Sequence, residues 1–172
     1  MRFRQWLETA QDLNSAAVAI LETVRFEDSY TATVSGYQDQ PTITITGVGQ
    51  IRLFYSGSVR PHYSVHHIHG EQPGAGTILY FAGLDWALRY GIKDAQGLLA
   101  SDLTLSPDAI RARLRFQNMY NYYLMTIPHP DEDSVKVHKG DNTDWRRPAT
   151  NEEATMWRLQ REAPFAFKYV KG

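Results

Sequence analysis

His69-Gly70-Glu71-Gln72-Pro73-Gly74-Ala75-Gly76-Thr77 is the stretch from which the rest of the chain can be read. A strand-like run, Tyr63 to Ile68, enters it, and a helical run, Thr77 to Tyr90, leaves it. Pro73, Gly74 and Gly76 predict a tight turn between the two. A backbone that turns out of a strand directly into a helix leaves N–H groups at the helix N-terminus without intrahelical partners, a place suited to phosphate or pyrophosphate. A glycine-rich turn of this kind is also an ordinary connection, so the elements on either side have to decide.

Upstream, residues 3–25 carry apolar side chains at helical spacing (Trp6, Leu7, Ala10, Leu13, Ala17, Ile20, Leu21, Val24), and Asn14-Ser15 divides them into two helices. Tyr30–Val34, Thr42–Thr46 and Gln50–Tyr55 read as short strands with short connections, which favours antiparallel neighbours. In the strand His62–Ile68, alternation puts Tyr63, Val65, His67 and His69 on one face and His62, Ser64, His66 and Ile68 on the other. Downstream, Gly91 stops the helix, and Ala95–Ala100 predicts a short apolar strand. Ser106-Pro107 opens a second helix to about Asn118, with serine as N-cap and proline at its first position. Tyr120–Ile127 is β-like, and residues 128–149 read as a long polar loop. Thr150-Asn151-Glu152-Glu153 has the form of a capping box and predicts a helix to about Arg161, followed by a last strand at Phe165–Val170.

This order predicts an α+β (mixed α/β) fold, a single central and mostly antiparallel sheet flanked by helices, in one domain over residues 1–172. Its parts are N-terminal helices in 1–25, a core over 42–127, the polar loop 128–149, and a C-terminal helix and strand over 150–172.

Composition narrows the function classes. A net charge of −1, from 18 basic and 19 acidic residues, argues against a general polyanion binder, so nucleic acid is not an expected partner. The absence of cysteine excludes disulfides, thiolate metal sites and a cysteine nucleophile. No run approaches the length of a membrane span, and Met1-Arg2-Phe3-Arg4-Gln5-Trp6 lacks the apolar region of a signal peptide, so a cytoplasmic protein is expected.

From Thr42 to Ile127 the order of elements resembles the GNAT superfamily of acetyl-coenzyme-A-dependent N-acyltransferases. Three places carry the resemblance. Glu71-Gln72-Pro73-Gly74-Ala75-Gly76 is similar to the family's pyrophosphate loop, Q/R-x-x-G-x-G/A, with Glu71 standing where Gln or Arg is usual. Leu84–Ile92 resembles the helix that ends in a glycine and an apolar residue before the next strand. Ser106–Phe116 resembles the short helix after that strand, although Ser106 or Asp108 replaces the usual Asn, Arg113 falls near the usual Tyr, and no glycine precedes Phe116. The two N-terminal helices and the helix expected after residue 150 are not standard for the family.

The resemblance implies acetyl-CoA as co-substrate, held by Gln72, Gly74, Ala75, Gly76 and Thr77, and an amine acceptor of unknown identity. It leaves room for a homodimer. Acyl transfer also needs a base for the attacking amine, and histidine is the best-matched side chain. The candidates are His67, favoured because alternation puts it with Tyr63 and His69, and His66 on the opposite face. The acid for the departing thiolate is often a tyrosine in this family, and here Tyr122 is the candidate among Tyr120, Tyr122 and Tyr123. A rival expectation uses His62, His66, His67 and His69 as metal ligands, with His129, His138 or one of Asp131–Asp133 as the third donor. No HExxH motif supports it, and the protein is expected to be metal-free. A third expectation, a catalytically inactive binding module on the same scaffold, draws on Glu71 and Arg113. Arg111, Arg113 and Arg115 could be taken for a basic surface, although at a net charge of −1 a solvated helix face accounts for them better.

Overall fold

Alternation builds the first half of the molecule. In the computed structural model, which describes residues 29–101, 104–130, 134–139 and 143–172, four consecutive strands run antiparallel: β1 (Ser29–Tyr37), β2 (Gln40–Ile45), β3 (Gly49–Ser56) and β4 (His62–Gly70). Ile43, Ile45, Ile51 and Leu53 are buried on one face, while Thr44, Arg52 and Phe54 are exposed on the other. That is the period-two division of a half-buried sheet. The helices expected within residues 1–25 lie outside the described residues.

Helix α1 (Ala75–Tyr90) covers the buried face. Its packing side carries Ile78, Leu79, Phe81, Ala82, Leu84 and Trp86. Gly83 lets it lie close: a Cβ there would meet Ile51 Cδ1 at 3.2 Å and Leu53 Cδ2 at 3.6 Å. At its end the N–H of Gly91 donates to the carbonyls of Trp86 and Ala87, each at 3.2 Å. The Gln38 amide donates to the Tyr90 carbonyl, one of the end carbonyls that has no partner within the helix.

A 3₁₀ turn (Lys93–Ala95) then leads to β5 (Leu99–Ala100), shorter than the strand expected over 95–100. After β6 (Thr104–Leu105), helix α2 (Pro107–Met119) starts where serine and proline predict, with Ser106 Oγ accepting from the Ala109 N–H at 3.1 Å. The remaining strands are β7 (Leu124–Pro128), β8 (Ser134–Lys139), β9 (Thr143–Pro148), β10 (Thr155–Leu159) and β11 (Ala166–Lys171). The main sheet has the order β11-β1-β2-β3-β4-β5-β10-β7, parallel only at β11/β1 and β4/β5, and a small sheet has the order β6-β8-β9. The fold is α+β, with one mixed, mostly antiparallel sheet.

The main sheet must curl. Residues 160–165 carry the chain from β10 to β11, which stand six strand positions apart. Six spacings of a flat sheet span about 29 Å, whereas that segment extends to at most about 25 Å. The edges therefore approach each other around α1. The β11 end of the sheet packs on α1: the Phe165 ring meets Phe81, and the Tyr169 hydroxyl donates to the Ala82 carbonyl.

Two expectations fail for tertiary reasons. Residues 128–149 are not one loop, because β8 and β9 pair as a hairpin across 134–148, with Val135 and Val137 packed on Ile110 of α2. Nor does a helix follow Thr150. The reciprocal bonds of the capping box do form, Glu153 N–H to Thr150 Oγ1 at 3.2 Å and Thr150 N–H to Glu153 Oε1 at 3.0 Å, but the chain then extends as β10. Burial of Met156, Trp157 and Leu159, together with pairing to both β5 and β7, outweighs the local helix signal.

Buried polar groups pin this region. Arg113 of α2 donates to the carbonyls of Glu153 (2.7 Å) and Thr155 (2.6 Å) and lies over the Trp157 ring. The Arg147 guanidinium grips Glu153 through two bonds of 2.6 Å, which holds that carboxyl well below the usual range, at about 2.

Candidate functional site

Strands β4 and β5 are parallel neighbours for only two residue pairs, Tyr63 with Leu99 and Ser64 with Ala100. Beyond them β5 ends, and the chain continues to β6 in the other sheet. Among the described residues, Val65–Gly70 of β4 therefore has no strand on its β5 side. Among these residues, β4 presents an open edge that runs up to the glycine turn.

That turn is built as the sequence predicts. Gly74 is the N-cap of α1 at φ +85°, in the left-handed region that favours glycine, and no side chain caps the helix. No acidic residue occupies the first turn. The Glu71 N–H donates to the Val48 carbonyl, Ala75 N–H to Gln72, and Thr77 N–H to Gly74. The N–H groups of Gly74 and Gly76 take none of the turn's bonds. A Cβ built at Gly76 meets no atom within 4 Å, so the space beside this backbone is open. Of the residues nominated for the cofactor, Gly74 and Gly76 have N–H groups that no hydrogen bond engages among the described residues. Gln72 contributes a carbonyl to the turn, and Ala75 is fully buried. The Thr77 hydroxyl is hydrogen-bonded to the Tyr120 phenol, whose burial pushes it up to about 12. That bond ties the end of α2 to the first turn of α1.

The histidines depart from simple alternation. Leu53 faces Val65, but the next residue of β3, Arg52, faces His67, so His66 is an extra residue in a β-bulge. The bulge shifts the parity of everything after it. Ile68 pairs with Ile51 and packs on the core, while His66, His67 and His69 are all exposed. His67 and His69 stand on the outer face, opposite α1, and not with the buried Tyr63. The expectation that His66 and His67 point to opposite faces is thus corrected. The His66 ring lies 6.2 Å from Phe54 on the outer face, so both histidines reach the same side of β4 beside the open edge.

Other nominated residues are not brought there. Register across the sheet runs Tyr63, Leu99, Trp157, Thr126, and β7 points the same way as β4. Tyr122 precedes Thr126 by four residues and His67 follows Tyr63 by four. Roughly 20 Å or more separates them. Tyr122 instead lies exposed under the Arg161 guanidinium, 3.9 Å from its ring centroid. Tyr123 is buried. Arg113 is buried as described above, which removes it from any basic surface, and Arg111 is paired with Asp108.

Nor do the metal candidates converge. His62 is buried, donates from Nδ1 to the Arg60 carbonyl at 2.7 Å, and packs edge-on against His129 at 4.9 Å between ring centroids. Among the described residues, no group of three or more metal-ligating side chains comes together. Asp131–Asp133 lie outside the described residues, as does the His138 side chain.

Two features escaped the sequence. Arg52 and Phe54 share the outer face with the histidines, a placement available from the alternation of β3 once its neighbour is known. The cross-strand rows Thr33–Thr44–Gln50–His69 and Ser35–Thr42–Arg52–His67, with the pair Phe54–Ser64, contain no carboxylate. The second feature is a cleft of about 780 Å³ lined by Gln38, Leu88, Tyr90, Ile92, Lys93 and Gln96, among others. It sits at the C-terminal end of α1, remote from the glycine turn, and includes none of the nominated residues.

No known family profile, curated protein or solved structure matches the chain. Among the described residues, no helix is long and apolar enough to cross a membrane.

Proposed function

We propose that the chain is an acyl-coenzyme-A-dependent N-acyltransferase that moves an acetyl group from acetyl-CoA to an amine. The observation that carries this is the ending of β5 after its two pairs with β4, which leaves the β5 side of Val65–Gly70 without a strand among the described residues, next to an uncapped helix N-terminus. The Gly74 and Gly76 N–H groups and the positive end of the α1 dipole would hold the pyrophosphate. The backbone of Val65–Gly70, paired with β3 but without a strand on its β5 side among the described residues, offers hydrogen bonds there to an extended, amide-containing arm.

The thioester supplies an activated acyl carbon and a thiolate leaving group. An ordinary thiol has a pKa of about 8.5, so a thiolate departs near neutral pH with little help from an acid. Transfer therefore needs no acid from the remote Tyr122. His67, with His66 beside it on the same face, is positioned to take the proton that the amine loses as the amide forms and the C–S bond breaks.

The test has two parts. Titration of acetyl-CoA into the protein should release heat and raise the melting temperature, and His67→Ala should lower turnover about 10²-fold or more while leaving that affinity unchanged. Absence of heat at millimolar acetyl-CoA would sink the proposal. Equal and small losses in His67→Ala and His66→Ala would remove the histidines from it.

A further inference from the structure

If the chain transfers acyl groups as proposed above, the amine must arrive beside His66 and His67, and the surface around them constrains what else that molecule carries. We propose that the acceptor is a small amine that also bears an anionic group and a flat ring, held on the outer face by Arg52 and Phe54. Arg52 is exposed and directly opposite His67. Among the described residues, no hydrogen bond or ion pair engages its guanidinium. The cross-strand row through it and the row beside it hold hydroxyls, an amide and imidazoles but no carboxylate, in a chain with 19 acidic residues. An anion approaching Arg52 thus meets no like charge from these rows, and the planar guanidinium matches a phosphate or carboxylate with two parallel bonds.

Phe54 supplies the second requirement. It is 45% exposed, although it is a large apolar ring in a central strand. The His66 ring tilts toward it at 43°, with 6.2 Å between centroids. A ligand ring can pack on the open side of Phe54 in the offset or edge-on arrangements that aromatic groups prefer. Directly opposed residues have Cβ atoms about 5 Å apart, so an anion on Arg52 and an amine at His67 fit within one small molecule. The amine requirement rests on the acyl-transfer proposal, whereas the anion and the ring rest on the face itself.

Calorimetry with three probes tests this: phenyl phosphate (ring and anion), O-phosphotyramine (ring, anion and amine) and tyramine (ring and amine). Both phosphates should bind, and tyramine should bind at least about tenfold more weakly. Arg52→Gln should weaken both phosphates about tenfold or more, and Lys168→Gln, on the same face but at the sheet's far edge, should leave them unchanged. With acetyl-CoA present, O-phosphotyramine should be acetylated faster than tyramine at equal concentration. Tyramine binding as tightly as O-phosphotyramine, unchanged phosphate binding in Arg52→Gln, or no binding of either phosphate would overturn the proposal. Phosphate binding with no heat from acetyl-CoA would remove the acyl-transfer function and leave the anion site. Heat from acetyl-CoA without phosphate binding would remove the anionic acceptor alone.

Discussion

Replacing Glu153 with Gln should destabilise the protein by an amount that vanishes in acid. The carboxylate is 3% exposed, takes two bonds of 2.6 Å from Arg147 and accepts the Thr150 N–H at 3.0 Å. The Arg147 bonds do most to lower its pKa, from 4.5 to about 2. At about 1.4 kcal/mol per pH unit, that gap corresponds to about 3 kcal/mol of folding stability. Because the folded-state value is the lower one, this stability is fully present above pH 4.5 and drains away as the pH falls toward 2. Arg147 keeps some access to water, and Gln can still accept the Thr150 N–H. The loss at pH 7 should therefore sit at about 2–3 kcal/mol, short of what removing one partner of a fully buried pair costs. Urea denaturation of both proteins at pH 7, 5, 4 and 3 would measure it. The wild type should lose stability relative to the variant between pH 4.5 and 3, so that the two curves converge. A difference that stays constant from pH 7 to 3 would refute the reasoning, since it would mean that packing and not charge holds the hairpin to the sheet.

Gly76→Ala should leave the protein folded, because the added Cβ meets no neighbour, and should stabilise the helix by about 0.5–1 kcal/mol. It should nevertheless weaken acetyl-CoA binding about tenfold or more in a calorimetric titration. Unchanged affinity would move the anion away from this backbone. Tyr63→Phe should cost about 1–3 kcal/mol. It removes a fully buried hydroxyl that donates to the Gln38 carbonyl at 2.6 Å and accepts the Ile92 N–H at 3.0 Å. Thermal or urea unfolding would check this, and a neutral result would mean that water replaces both bonds.

Short-range forces control the features that are legible in the sequence alone. Threonine–isoleucine alternation made β2 a strand with one wet face, Ser106 and Pro107 started α2, and Gly74 supplied the left-handed residue that turns β4 into α1. The antiparallel run of β1–β4 followed from short connections. Even the capping box at Thr150 delivered its two local hydrogen bonds. Tertiary structure decided whatever depended on partners distant in the chain. The box opens onto a strand because Met156 and Trp157 fill the gap between β5 and β7, and burying them there outweighs one turn of helical preference. Arg113 reads from sequence as a surface cation, but it is buried because two carbonyls of β10 and its approach are there to receive it. The candidate site shows the same division. His66 and His67 were visible as candidates, but their facing was not. One extra residue opposite β3 reverses the parity of β4, and a period of two can be read from sequence only while the register holds.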